Sequence, residues 1–293
     1  MEAAEGMTIA ITTLSENTAA RAGLYAEWGL SILVETDDVA VLLDTGQGSA
    51  VMANAALLGV DWSSLHTIVL SHGHRDHTGG LWSVLSAIRK DPTLSEETRS
   101  VNVVAHPDIW IPKYSGPIHK NIYAGMPYVR EALESLGAAF VSTSEPARIT
   151  NRIVTTGEIP LDTAYERVDP ELYVRDDRGA RPDPMADDLA LIITTDLGLV
   201  VVLGCAHRGL INTLLRAQNV ASEDRIHTVI GGTHLMKASG AQLEATIKGL
   251  EALDVERIGV SHCTGLPAAV KLSKAFGDRF FFNNAGTRIT IED

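Results

Sequence analysis

The sequence predicts an α/β protein whose mixed sheets are covered by helices. Three observations carry this class. Short apolar runs bounded by turn residues recur, helical patterns alternate with them, and each half opens with a hairpin signal. The first hairpin joins the runs 31–35 and 39–43 through Asp37-Asp38. A strand at 67–70 follows, then a helix at 80–90 with Leu81, Val84, Leu85 and Ile88 at helical spacing. A strand is expected at 101–105 and a helix at 128–136. The second half repeats the plan, with runs 189–194 and 199–203 about the turn Asp196-Leu197-Gly198. Helices are expected at 210–218, 241–253 and 268–276. The strands are rich in Val, Ile and Leu with little alternation, so they should be buried on both faces or nearly so.

The stretch 107–184 differs. Pro112, Pro117 and Pro127 punctuate it early, and Pro160, Pro170, Pro182 and Pro184 late, outside any clear strand ladder. A long irregular stretch inside a compact domain is usually a functional loop. No low-complexity linker divides the chain, so 1–293 is expected to form one domain with this stretch shaping a pocket.

The 293 residues carry a formal charge of -13, with 45% hydrophobic and 21% charged side chains. That balance is ordinary for a soluble globular protein. It argues against nucleic acid or an anionic membrane as partner, because both reward clustered Lys and Arg. It does not exclude a small anionic substrate, since a metal or a local basic pocket can overrule net charge. No apolar run approaches the roughly 20 residues that span a bilayer. The acidic start Met1-Glu2-Ala3-Ala4-Glu5-Gly6 lacks a secretory apolar region, so a cytoplasmic location is expected. A homo-oligomer stays open. The two cysteines, Cys205 and Cys263, imply no disulfide framework.

Three segments echo one another. His66 to His72, His227 to His234 and Arg257 to His262 each read as a strand closing on a histidine, which suggests three strand tips aimed at one place. The first of them runs into His72-Gly73-His74-Arg75-Asp76-His77. In extended backbone His72 and His74 face one side and can bind one ion. Asp76 and His77 come as the chain turns and can face a second. A core holding three imidazoles and a carboxylate without purpose would be costly, because buried polar groups must be satisfied.

This segment resembles the His-x-His-x-Asp-His signature of the metallo-β-lactamase superfamily. Leu43-Asp44-Thr45-Gly46 resembles the family's strand ending in an Asp that orients a metal-binding His from behind. Gly204-Cys205-Ala206-His207-Arg208-Gly209, Gly231-Gly232-Thr233-His234-Leu235 and His262-Cys263-Thr264-Gly265 are similar to the dihydropteroate-synthase-like branch, which includes archaeal dihydropterin-linked synthases. Thr156-Gly157-Glu158-Ile159-Pro160 and Asp187-Asp188-Leu189 extend the likeness. The resemblance implies a four-layer αββα sandwich, with metals at the shared edge of two mixed sheets and His262 as the last metal ligand. It departs where Leu203-Gly204-Cys205 stands in place of a Gly-Asp whose carboxylate usually bridges two metals. The Gly-His-Thr-x-Gly-His segment of many hydrolases of this fold is also absent, and His207 is favoured as the imidazole that replaces its histidine. Cys205 is a soft thiolate ligand or a bystander, and Asp183, Asp187 and Asp188 are alternative carboxylates.

The resemblance thus implies a metal set of His72, His74, Asp76, His77, His207 and His262, with Cys205 as candidate and Asp44 behind it. Zinc is the expected ion, one or two per chain, though such ligands tolerate manganese, iron or magnesium. Asp76 and His234 are the catalytic candidates. His106, Lys113, Tyr114, His119, Lys120 and Arg130 are expected to bind a planar anionic substrate, with Trp110, Tyr123 and Tyr128 beside them. A metallohydrolase of a small ester, lactone or phosphoester is the first expectation. A transferase joining a dihydropterin methyl diphosphate to an aromatic amine is the second, and a metal sensor with little turnover the third.

Overall fold

A computed structural model describes residues 8–95, 99–176 and 179–293, so the acidic start lies outside the described residues. Strands are numbered β1 to β17 along the chain. Seven form the first sheet: β1 (Thr8–Ser15), β2 (Ser31–Glu35), β3 (Ala40–Leu43), β4 (Leu65–Val69), β5 (Val101–Ala105), β8 (Ala138–Ser142) and β17 (Arg288–Glu292), in the order β17-β1-β2-β3-β4-β5-β8. Six form the second: β9 (Ile153–Thr155), β12 (Ala190–Thr195), β13 (Gly198–Leu203), β14 (Ile226–Gly232), β15 (Arg257–Ser261) and β16 (Phe280–Phe282), in the order β16-β15-β14-β13-β12-β9. Both sheets are mixed. The hairpins β2–β3 and β12–β13 are antiparallel, whereas β3-β4-β5-β8 and β13-β14-β15-β16 run parallel.

Strand alternation explains the layering. On β2, Ile32 and Val34 face one way and Leu33 the other; on β13, Val200 and Val202 oppose Leu199, Val201 and Leu203. Ile32, Val34, Val41 and Leu43 join Leu191, Ile193, Val200 and Val202 in one buried cluster, so the two sheets pack face to face. The outer face of the first sheet is covered by α1 (Ala50–Leu58) and α3 (Leu81–Lys90), through Val51, Ala55, Leu81, Val84, Leu85 and Ile88. Helices α5 (Leu210–Ala221), α6 (Gly240–Ala252) and α7 (Leu266–Phe276) cover the second through Leu214, Leu250 and Leu272. Two short helices complete the set, α2 (Arg75–Thr78) and α4 (Arg130–Glu134). The result is the four-layer αββα sandwich. No described helix is long and apolar enough to cross a membrane.

The stretch 107–184 departs from expectation. It holds a four-stranded sheet of β6 (Lys113–Ser115), β7 (Ile122–Tyr123), β10 (Leu172–Asp176) and β11 (Gly179–Pro182), ordered β11-β10-β6-β7. These strands have two to five residues each, too few to show a period of two.

Candidate metal centre and cleft

The parallel strands deliver the chemistry. Asp44 follows β3, the segment 71–77 follows β4, Cys205 and His207 follow β13, His234 follows β14, and Cys263 with His262 follows β15. These are the C-terminal ends of parallel strands, where open α/β sheets gather ligands. The turns are strained. Asp44, Ala206, His234 and His262 all take left-handed φ values, between 48° and 59°, a conformation that costs about 1–3 kcal/mol per non-glycine residue and concentrates at functional sites. Gly204 is required by close approach, because a Cβ there would stand 2.1 Å from Ser71 Oγ.

Asp44 is the buried anchor. It accepts hydrogen bonds from Ser71 N at 2.8 Å, Ser71 Oγ at 2.6 Å and His77 Nδ1 at 2.6 Å. Nδ1 of His77 is thereby committed, and Nε2 faces Cys205 Sγ at 3.1 Å. Burial disfavours a charged His77, but Asp44 and Asp76 outweigh it and raise the imidazole to about 9. Asn17 and Glu16, at the end of β1, orient the last histidine. His262 Nδ1 meets Asn17 Oδ1 at 2.8 Å, and its backbone N–H donates to Glu16 Oε1 at 2.6 Å. That aims Nε2 at Asp76 Oδ2, 3.2 Å away. Burial pushes the Asp76 carboxyl up, but His77 and His262 hold it well below the usual carboxylate range.

Among the described residues four triads of donor atoms lie within 4.8 Å of one another, and the two without a cysteine are His72, His74 and His207, and Asp76, His77 and His262; Cys205 Sγ also groups with His72 and His77. Burial and neighbouring cationic groups push His72 and His207 well below the usual imidazole value. Burial likewise lowers His74 to about 4. Three neutral imidazoles therefore converge, with His72 Nε2 and His207 Nε2 at 3.2 Å. His74 Nε2 and His207 Nδ1 are buried without a hydrogen-bond partner among the described residues. Converging lone pairs, an orphaned donor atom and a carboxylate fit a divalent cation better than they fit a core.

A cleft of about 360 Å³ opens over both triads, lined by Trp28, Arg75, Tyr123, Leu172, Met236 and Lys237 as well as by His74, His207 and His262. His234 lines it too, with its ring centroid 4.2 Å from that of His207.

The substrate residues expected on the segment 107–130 are mostly elsewhere. Lys113 is 1% exposed, and its Nζ sits 2.8 Å from both Asp183 Oδ2 and Asp187 Oδ1, because β6 is an inner strand that points it inward. Asp187 in turn accepts from Gly73 N at 2.8 Å, so both Asp183 and Asp187 are committed. Asp188 accepts from Arg208 N at 2.9 Å. His106 accepts from Asp108 N and meets Glu158 Oε1, which makes it a cap of the turn at Pro107–Trp110. Tyr114 stacks on Tyr173, its cross-strand partner, with centroids 5.4 Å apart. His119 and Lys120 project from an exposed turn. Arg130 pairs with Glu134 one helical turn on and lies over Phe140. Of that group Tyr123 alone lines the cleft among the described residues. Among the described residues the Arg and Lys side chains that line the cleft are Arg75 and Lys237, neither of which was expected from the sequence. Arg75 carried a signal, since it lies inside the histidine motif itself.

This fold and these converging tips define a class, and the chain belongs to the metallo-beta-lactamase superfamily, whose profile matches residues 29–208. It is 30% identical to the 7,8-dihydropterin-6-methyl-4-(beta-D-ribofuranosyl)-aminobenzene-5'-phosphate synthase of Methanocaldococcus jannaschii, over 95% of each chain. It superposes on Tm1679, a metal-dependent hydrolase of the beta-lactamase superfamily, with a TM-score of 0.81 and 30% identity, covering 97% of this chain and 100% of that one. YhfI from Bacillus subtilis, at a TM-score of 0.59 and 14% identity over 96% and 99%, shares the fold alone.

Asp44 does not line the cleft, yet it should set cation affinity. Asp44→Asn removes the charge that fixes His77 and Ser71, and cation affinity should fall by about 10–100-fold. Isothermal titration with Zn2+ reads this directly, and an unchanged affinity would remove Asp44 from the site.

Proposed function

We propose that the chain is a metal-dependent hydrolase of a small anionic substrate, a phosphoester in the first instance. The charge of the donor set carries this reading. The two triads bring five imidazoles and one carboxylate, Asp76. Two divalent ions there would bring four positive charges against Asp76 and the buried Asp44 carboxylate behind His77, which leaves two uncompensated in a buried setting. Such a site favours a substrate that carries its own negative charge. Cys205 stands where a bridging carboxylate would otherwise add to the balance, and Arg75 at the cleft has the sign to assist.

A divalent ion held by His72, His74 and His207, with a second at Asp76, His77 and His262, would polarise a phosphoryl oxygen and acidify a water. Zinc suits the imidazole-rich triad, though manganese, iron and magnesium are tolerated by the second. The chain's own groups do the rest. Asp76 stays ionised through the physiological range and accepts a hydrogen bond from the attacking water. The apolar faces of Trp28, Leu172 and Met236 keep bulk water off the substrate's organic portion.

A second reading replaces water by an aromatic amine. The full-length likeness to the synthase supports it, because that enzyme's named product joins a dihydropterin methyl group to an aminobenzene. One experiment addresses both. Metal-loaded protein is given phosphodiesters, neutral esters and lactones, and then a dihydropterin methyl diphosphate with and without an aromatic amine. Turnover of phosphodiesters above neutral esters is expected. Equal or better turnover of neutral lactones would overturn the anionic reading, and release of diphosphate only when the amine is present would replace hydrolysis by transfer.

A further inference from the structure

We propose that Cys205, His234 and Cys263 form a third cation subsite, of thiolate and imidazole character, beside the two histidine-rich triads. Their donor atoms lie within 4.8 Å of one another. A tetrahedral ion with Zn–S near 2.3 Å and Zn–N near 2.0–2.1 Å places its ligands at mutual distances of roughly 3.5–4 Å, so small adjustments suffice. Neither His234 nor Cys263 belongs to the other triads.

The backbone builds this arrangement. The three residues follow β13, β14 and β15, which are adjacent parallel strands. Gly232 makes room, because a Cβ there would stand 2.7 Å from Cys263 Sγ and 2.4 Å from Gly204 O. His234 takes φ 48°, and its backbone N–H donates to Cys263 Sγ at 3.3 Å. Its Nδ1 is buried without a partner among the described residues. Both cysteines are unbridged, and Cys263 Sγ lies 3.5 Å from Cys205 O.

All three residues line the cleft, so a fourth position opens onto it. Three protein ligands with an open fourth position are the pattern of a site that takes an exchangeable ligand, and two sulfurs select a thiophilic ion such as Zn2+ over Mg2+. Binding releases one proton from each thiol, and the two thiolates cancel the charge of a divalent ion. The charge balance at the histidine triads is therefore unchanged, and the subsite stands or falls apart from the proposed reaction. His234 becomes a ligand here in place of the catalytic role expected from sequence.

Cobalt titration of the chelator-treated full chain tests this. Wild type should bind one Co2+ more than Cys263→Ser and His234→Ala, with a sulfur-to-cobalt charge-transfer band that weakens in Cys263→Ser. Equal ion counts and an unchanged band in both variants would overturn the proposal and leave Cys205 to serve His77 alone. Should the variants fail to fold, wild type decides. Methyl methanethiosulfonate should modify Cys205 and Cys263 in the chelated protein and spare both after Zn2+ loading, as mapped by peptide mass spectrometry. Equal modification in the two states overturns the subsite.

Discussion

His207→Ala should empty one donor position of the all-imidazole triad and lower kcat/KM by about 10–100-fold or more. The floor comes from groups that merely orient ligands, whose loss costs about 10–100-fold; removing a donor atom should cost no less. His207 Nε2 stands 3.2 Å from His72 Nε2, and its ring centroid is 4.9 Å from that of His74, so two donors alone would face the ion. The substitution should leave folding intact, because His207 Nδ1 has no partner among the described residues and its Nε2 meets only His72. Metal analysis and steady-state kinetics on the purified variant check both parts. Full metal content with full activity would pass the third donor position to another residue, Asp188 being the alternative carboxylate that Lys113 does not hold and whose Oδ1 has no partner among the described residues.

What the sequence could reveal follows from how local each signal is. The runs at 31–35 and 199–203 read as strands because burial on both faces leaves a stretch of Val, Ile and Leu, and 101–105 read as one from its three valines although Asn102 is exposed. The helix α3 read cleanly because Leu81, Val84, Leu85 and Ile88 make one stripe. Helix α1 did not, since Ala50–Leu58 is alanine-rich on every side and has almost no polar face to mark a period. At the site, His72, His74, Asp76 and His77 were legible because six residues of chain bring them together. The partners that aim His262 were not, because Asn17 lies 245 positions away and nothing local couples the two. Lys113 shows the opposite error. A lysine beside tyrosines in an acidic protein reads as an exposed anion binder, and only the fold discloses that Asp183 and Asp187, 70 and 74 residues on, enclose it. The four-stranded sheet was illegible for the same reason, since its partners β6 and β10 are brought together from far apart in the chain.

That buried lysine is the second point of large expected effect. Lys113→Met should destabilise the protein by about 3–5 kcal/mol, the cost of leaving buried charge without its partner. For a protein of this size each kcal/mol moves the melting temperature by roughly 2–4 °C, so a fall of about 6–20 °C is expected. Asp183 is 4% exposed and Asp187 1%, so neither can turn to water without moving the segment that carries it. Lys113→Met combined with Asp183→Asn and Asp187→Asn should recover most of the loss, because removing a whole buried ion set is often neutral. The effect should also reach the cation site. Asp187 Oδ2 holds Gly73 N, the peptide between His72 and His74, so a displaced Asp187 frees the loop that spaces those two rings. Thermal unfolding of the single and triple variants, each with and without Zn2+, separates the two effects. A melting temperature within about 2 °C of wild type in Lys113→Met, roughly 1 kcal/mol at most, would show that the triad is not a lock. A normal apo stability with weakened zinc binding would instead confine Lys113 to holding the histidine loop in place.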